Sequence, residues 1–435
     1  MFNNKINSKL FFISLLTLSF SFSSFAQEVE EVVVTATKKE ESTQDIAISV
    51  EAFTSDMLDS EQIFDLSDLT EVVPGFGYGK GIGSGSSFQM RGIGSYGIGA
   101  AVVSSLVTNI NGHSVGTGQF VDLGFMDIER VEVLKGPQGT LNGRNSVQGV
   151  VNLITKRPTS EMGGYVDIES GNFDRTLIKG AINIPISDNI SSRVAFMSNQ
   201  RSGMVHNANT GNDYDDRNDT GIRLSIDWNL SDITDLKLTY SGQKSDDNRP
   251  QEEVSFCAQD QFFGCSPYSR GGMNQAADTR GHVAGLFGFY SLIDPGTIVN
   301  KYGPSLAGGF DTLYLDREPT HYQESEVTNL ELTHELNDDV QMIVKYTYST
   351  RDFHQMNDND GSVSNVSLLG VGAALGLPPV EANVCFGGDF QFCEMANSDR
   401  TYDFSDVETE NKQAEINFVS NFDDSFNYTF GYYWY

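Results

Sequence analysis

Past Pro158 the chain alternates apolar and polar residues over long runs. Gly221 to Leu230 sets Ile222, Leu224, Ile226 and Trp228 against Arg223, Ser225, Asp227 and Asn229. Val340 to Ser349 likewise sets Val340, Met342, Val344, Tyr346 and Tyr348 against Gln341, Lys345, Thr347 and Ser349. A period of two is that of a strand with one apolar face, and alternation alone does not separate a soluble sandwich from a membrane barrel. Length does: these runs reach about ten residues or more, as a tilted membrane strand requires, whereas soluble strands average about five or six. Nine strands are predicted, at 163–171, 174–186, 190–206, 217–230, 234–246, 323–336, 340–353, 405–421 and 426–435. Tight turns join four pairs of them, at Ser187-Asp-Asn, Ser231-Asp-Ile, Asn337-Asp-Asp and Asp423-Asp-Ser, while Asn248 to Tyr322 and His354 to Phe404 are long connections. Short turns at one end and long loops at the other is the asymmetry of outer-membrane barrels, with the long loops outside.

Before Pro158 the pattern is shorter and mixed. Ile46, Ile48 and Val50 alternate as a strand, and Thr54-Ser55 can cap a helix over Asp56 to Gln62. A second helix is predicted over Phe64 to Val72, with Leu66, Leu69 and Val73 on one face and Pro74-Gly75 ending it. Gly75 to Gly99 is glycine-rich loop around a strand at Phe88 to Arg91. Glu129 to Leu134 alternates again, Gly136-Pro137 stops it, and Gly139, Gly143 and Gly149 punctuate a turn before a second apolar strand.

That last stretch carries the most specific signal. ERVEVLKGPQGTLNGRN (Glu129 to Asn145) and NLITKRP (Asn152 to Pro158) resemble, position by position, the C-terminal signature of the plug domain in TonB-dependent outer-membrane receptors. QMRGIG (Gln89 to Gly94) is similar to the plug's internal RG motif, and Val107 to Gly112 to the strand and turn before the signature. Glu31, Val32, Val33, Val34, Thr35, Ala36 and Thr37 form a β-prone heptad with no core-forming sequence before it. It resembles the family's TonB box, which adds as a strand to TonB by β-augmentation; read alone, Val32 to Val34 is equally an edge strand of the next domain. The resemblance implies a membrane β-barrel, antiparallel and incomplete in this chain, with an N-terminal α/β plug. The expected organisation is 1–26 signal peptide, 27–42 periplasmic segment with the box, 43–158 plug, and 159–435 about nine barrel strands. In the family the plug's upper loops face the ligand, which makes Tyr78, Lys80, Ser84, Ser86 and Tyr96 candidate ligand-facing residues.

Composition fits this reading. The 435 residues hold 43 glycines, 29 phenylalanines and 17 tyrosines at only 39% hydrophobic, which excludes a bundle of membrane helices. Leu10 to Phe25 is the only long apolar run; with Lys5 and Lys9 ahead and Ser24-Phe25-Ala26 at its end, it reads as a secretory signal rather than an anchor. Its removal takes two lysines and no acid, moving the formal charge from −31 to −33, which disfavours nucleic acid as a partner. Cys257 with Cys265 and Cys385 with Cys393 share one spacing inside loop-like stretches. In an exported chain they read as two local disulfides; a joint site of four thiolates is the alternative, though the short CxxC spacing of zinc sites is missing.

No residue is asked to do covalent chemistry, and neither a cofactor nor a resident metal is expected. Gly92-x-Gly94-x-x-Gly97 matches the dinucleotide fingerprint in form, but Ile98 to Val107 has neither a cap nor an acidic residue at the required distance. The six histidines show no ligand spacing and are expected at scattered surface or lumen positions. The function implied is TonB-dependent import of a scarce ligand, by default an iron-siderophore complex, with vitamin B12, haem or carbohydrate as alternatives. The partners implied are TonB with its inner-membrane energising complex, outer-membrane lipid and the small ligand. A passive porin or adhesin would have no use for plug or box, and a periplasmic nucleotide enzyme would have to be soluble. Because an odd, open sheet leaves unpaired edges in lipid, the sequence is expected to be the N-terminal part of a longer protein.

Overall fold

In the plug region the sequence alternates so that one sheet has two faces to cover, and the fold covers both. The computed structural model describes residues 33–35, 38, 41–44, 46–80, 86–94, 104–115, 125–207, 210–249, 259–260, 264–265, 312–313, 315, 318–358, 402–423 and 426–435. β1 (Val33–Val34) pairs antiparallel with β2 (Glu41–Ser42). β3 (Ser49–Thr54) leads into α1 (Ser55–Ser60), where Thr54 Oγ1 accepts the Met57 N–H at 3.4 Å. α2 is the single turn Leu69–Val72. β4 (Phe76–Lys80), β5 (Ser86–Met90) and β6 (Ile93–Gly94) form a small antiparallel sheet. β7 (Leu106–Ile110), β8 (His113–Ser114), β9 (Ile128–Lys135), the turn of helix α3 (Gly139–Asn142) and β10 (Gly149–Thr155) follow.

The main plug sheet has the order β3-β9-β10-β7-β8, with β10 parallel to β7 and the other pairs antiparallel. Val131 and Val133 on β9, with Val151 and Leu153 on β10, face a core that includes Leu58, Leu66 and Leu69. Leu134 and Val150 point the other way, against Val34 and Val107. Strands buried on both faces read as nearly continuous apolar runs, as β10 does. The predicted helix over Phe64 to Val72 is corrected to its last turn. Asp68 Oδ2 accepts the N–H groups of Phe64 and Asp65, at 2.7 and 3.1 Å, and Asp65 Oδ1 accepts those of Ser67 and Asp68, at 2.6 and 3.2 Å. These carboxylates take the amides that a helix would use, so turns replace it. Leu66, Leu69 and Val73 are buried nonetheless.

β11 (Gly163–Gly171), β12 (Arg175–Ser187) and β13 (Ile190–Arg201) begin the long antiparallel strands. β14 (Val205–Asn207) and β15 (Asp213–Tyr214) pair beside it in a separate small sheet, so the strand expected to reach residue 206 breaks at Ser202-Gly203. A Cβ at Gly203 would press on the backbone of Asp213 and Tyr214. β16 (Arg217–Ser231) and β17 (Thr234–Asp247) continue the wall, followed by the short β18 (Gln259–Asp260), β19 (Gly264–Cys265) and β20 (Thr312–Leu313). β21 (Thr320–Asn337), β22 (Val340–Asp358), β23 (Tyr402–Ser420) and β24 (Thr429–Trp434) complete the described chain. Among the described residues the wall is one sheet of nine strands, β11-β12-β13-β16-β17-β21-β22-β23-β24, each antiparallel to its neighbours. Ladders close tightly at Ser187↔Ile190, Ser231↔Thr234 and Asn337↔Val340.

Burial settles what alternation leaves open. On β16 the apolar Ile222, Leu224 and Trp228 are exposed, while Arg223 and Ser225 are 1% exposed. On β22 Tyr346 is exposed, while Thr347, Ser349 and Arg351 are buried. A soluble sandwich hides its apolar face; a wall with its apolar face outward and its polar face inward belongs in lipid. Among the described residues no helix is long and apolar enough to cross a membrane.

Candidate functional site

Glu132 is the organising residue on the underside of the plug. Alternation along β9 turns it to the face shared with Leu134, opposite Asn152 on β10, and it is fully buried. A buried carboxylate must be satisfied by donors. Oε1 accepts from Thr35 N–H at 3.0 Å, Thr35 Oγ1 at 3.2 Å and Arg130 Nε at 2.9 Å, and Oε2 accepts from Asn152 Nδ2 at 3.0 Å. Thr35 is thereby tied to the plug sheet, and Val34 beside it is buried against Val107, Leu134 and Val150. Burying Val34 is worth about 1.5–3 kcal/mol, and hydrogen bonds to a charged group about 1.5–3 kcal/mol each.

Further along the same lead, Lys38 turns back with a positive φ of 66° and reaches Glu415 on β23 at 3.3 Å. Burial, and then the neighbouring Lys345, push the Lys38 ammonium below its ordinary pKa.

The inward face of the wall holds the plug. Arg193 on β13 donates to Asp127 from Nε and Nη2, both at 2.6 Å, and Tyr165 on β11 donates to the same carboxylate at 3.1 Å. Arg223 on β16 donates to the Met126 carbonyl. Arg157 bonds to Asp227 and, at 3.2 Å, to Thr239. Across the plug, His113 Nδ1 lies 3.0 Å from Thr347 Oγ1 and its Nε2 3.9 Å from Glu331. Lys345 meets Glu331 at 3.0 Å and the Asn111 carbonyl at 3.5 Å. Burial holds the His113 imidazole well below the usual histidine pKa, so the ring is neutral here.

Of the heptad Glu31 to Thr37, Val33, Val34 and Thr35 are the part brought to this site; Glu31, Val32, Ala36 and Thr37 lie outside the described residues. Tyr78 is half-buried, its ring 5.2 Å from that of Phe88 on the neighbouring strand. Lys80 and Ser86 pair through their backbones across β4 and β5, while Ser84 and Tyr96 lie outside the described residues. Cys265 has its backbone in β19; Cys257, Cys385 and Cys393, with residues 1–26, lie outside the described residues. Among the described residues no group of three or more His, Cys, Asp or Glu is placed to hold a metal ion. Sequence reasoning missed Asp127, Glu132, Arg193 and Glu331 as contacts. The available signal was charge at the inward parity of the strands, as at Arg193, Arg223, Glu331 and Lys345.

Residues 42–150 match the family described as TonB-dependent Receptor Plug Domain. The iron-regulated outer membrane virulence protein of Vibrio cholerae is 28% identical over 290 residues, which is 62% of this chain and 42% of that protein. The vitamin B12 transporter BtuB of Vibrio vulnificus is 32% identical over 163 residues, 37% of this chain and 26% of that protein. The structure of the ferric yersiniabactin uptake receptor FyuA from Yersinia pestis superposes with a TM-score of 0.59 at 14% identity, covering 89% of this chain and 48% of that one. The chain spans less than half the length of these relatives.

Proposed function

We propose, from the premise that this chain carries the plug and part of the barrel of a TonB-dependent outer-membrane receptor, that the complete protein actively imports a scarce ligand, with an iron-siderophore complex as the first expectation. Ligand binds at the outer loops and the plug's upper loops, which include Tyr78, Lys80, Ser84, Ser86 and Tyr96. TonB, energised from the inner membrane, takes the segment Glu31 to Thr37 as an added strand and pulls on the plug.

The observation that carries this reading is the attachment of Val33 to Thr35. Beyond its pairing with β2, the segment is held by one buried valine and by hydrogen bonds to Glu132 and Asn152, outside the β3-β9-β10-β7-β8 sheet. Such an attachment is worth a few kcal/mol, so a competing strand partner can release it while the sheet stays folded. The name of the Vibrio cholerae relative supports iron as the cargo, and that of BtuB keeps vitamin B12 as the second reading. Haem and carbohydrate are further outcomes of the same assay. A passive porin would show a constantly open channel in liposome conductance.

Deletion of Glu31 to Thr37 from the complete receptor is expected to abolish uptake and leave ligand binding intact, measured with radiolabelled ferric siderophores in iron-starved cells. Undiminished uptake would sink the reading.

A further inference from the structure

A cavity of about 600 Å³ lies between the flank of the plug and the inward face of β11 to β17. On the plug side it is built by α1, the turn at Ile63 to Asp65 and the lead into β9. None of its described lining comes from β4, β5 or β6, the sheet that carries the plug's upper loops. On the wall side it runs from Tyr165 up to Arg217 and Arg249, at and just beyond the outer ends of β16 and β17.

Alternation brings Asn199 on β13, Asp219 on β16 and Ser245 on β17 into one inward row, because Asn199 pairs with Asp219 and Asp219 with Ser245. Asp219 is saturated there. Its Oδ1 accepts from Ser245 Oγ at 2.6 Å and from Arg249 Nη2 at 2.9 Å, and its Oδ2 accepts from Asn199 Nδ2 at 3.3 Å. An ionised carboxylate takes only donors, so Asn199 must turn its nitrogen to Asp219 and its carbonyl oxygen away. That oxygen is buried and, among the described residues, has no hydrogen-bond partner. One inward position lower on β17, Gln243 is 6% exposed, and its carbonyl oxygen is likewise buried without a partner. Both residues line the cavity. Buried polar atoms are hydrogen-bonded as a rule, so two acceptors held beside open space call for donors within it.

Charge and shape narrow the occupant further. The described lining holds five basic and five acidic residues, and so carries no net charge. Its arginines are already paired, Arg175 with Glu169 at 3.3 Å, Arg217 with Asp215 at 2.6 Å and Arg249 with Asp219. An ionic ligand therefore meets no surplus of opposite charge. Leu58, Phe125, Leu177 and Met197 also line the space and give water no partner, and Phe64 lines it at 45% exposed.

We infer that this cavity is a binding site for a small uncharged solute rich in hydroxyl groups, a saccharide of one or two rings. A sugar ring carries hydroxyl donors on its edge and C–H groups on its faces, so it meets the amide oxygens and the apolar lining together. The volume lies within the range of small-molecule sites. Because the site joins α1 to β16 and β17, its occupant also braces the flank of the plug against the wall. Binding here needs nothing from the import reading.

The test uses the complete receptor, purified in a detergent without a sugar headgroup. Binding of radiolabelled maltose is measured by equilibrium dialysis, with unlabelled maltose, gluconate and glucosamine as competitors. Saturable binding is expected, displaced by maltose and not by the two charged sugars. Gln243→Met keeps the length of the side chain and removes its acceptor, and is expected to weaken binding about tenfold. Its thermal midpoint is expected to be unchanged or higher, since an unpaired buried polar group is lost. Gln243→Ala, which removes the same acceptor without filling the space, is expected to weaken binding as well. Gln355→Met removes a buried amide without partners on β22, outside this lining, and is expected to leave binding unchanged. Absence of saturable binding would mean that water alone fills the cavity and would overturn the assignment. Binding that survives either change at Gln243, or that Gln355→Met weakens equally, overturns it too, and displacement by gluconate or glucosamine overturns the choice of an uncharged ligand.

Discussion

The imidazole of His113 lies between Thr347 and Glu331, where the plug meets the wall. Burial lowers its pKa most, Lys345, Lys38 and Arg157 act in the same direction, and Glu331 opposes them. A histidine whose seated pKa is depressed binds fewer protons seated than free, so stability rises with pH. Its contribution is complete above the free value of about 6.5 and is lost as pH falls from there towards the depressed value. Hydrogen exchange across Leu106 to Ser114 is therefore expected to quicken between about pH 7.5 and about pH 5, and His113→Asn to flatten that dependence. Exchange that ignores pH in the unaltered receptor would contradict the role. Nothing in the sequence distinguished this histidine from the other five, because its partners Thr347 and Glu331 come from β22 and β21, more than two hundred residues away.

At the scale of elements, β9 and β10 were legible from sequence because each needs only its own neighbours to be recognised: an alternating run stopped by Gly136-Pro137 and an apolar run opened by Gly149. Gly149 has a structural reason beyond the turn. A Cβ there would run into the Leu134 carbonyl across the hairpin, so Gly149→Ala is expected to destabilise the plug by about 1–3 kcal/mol, read as a lower urea midpoint by plug tryptic resistance. An unchanged midpoint would show that the hairpin yields at no cost. The helix over Phe64 to Val72 was misread because its apolar spacing is real and its buried residues correct, while two aspartates capture the amides first. The latch on Glu132 was not legible either. Its parity on β9 was visible, but the donor from Thr35 lies ninety-seven residues earlier.

Across the whole molecule, the wall stands in the outer membrane of a Gram-negative cell with polar groups inside and apolar groups outside. Depth then decides what a charge costs on the lipid face. Leu224→Arg, in mid-strand, is expected to lower folding into liposomes by about 2–4 kcal/mol, and Ile186→Arg, beside the turn at Ser187, by about 0–1 kcal/mol. Equal losses at the two positions would place the membrane elsewhere on the wall. The long antiparallel strands of a membrane wall were legible because a period of two survives without tertiary knowledge, and strand length with loop asymmetry decided what alternation alone leaves open. That division of faces also bears on how such a chain is exported. Spreading apolar residues one by one between polar ones leaves the chain with a mean hydropathy of −0.29, so its wall strands give a secretion channel no stop-transfer segment to release sideways into the inner membrane. The hydrophobic stripe exists only after the strands have formed, and so it can be recognised only at its destination.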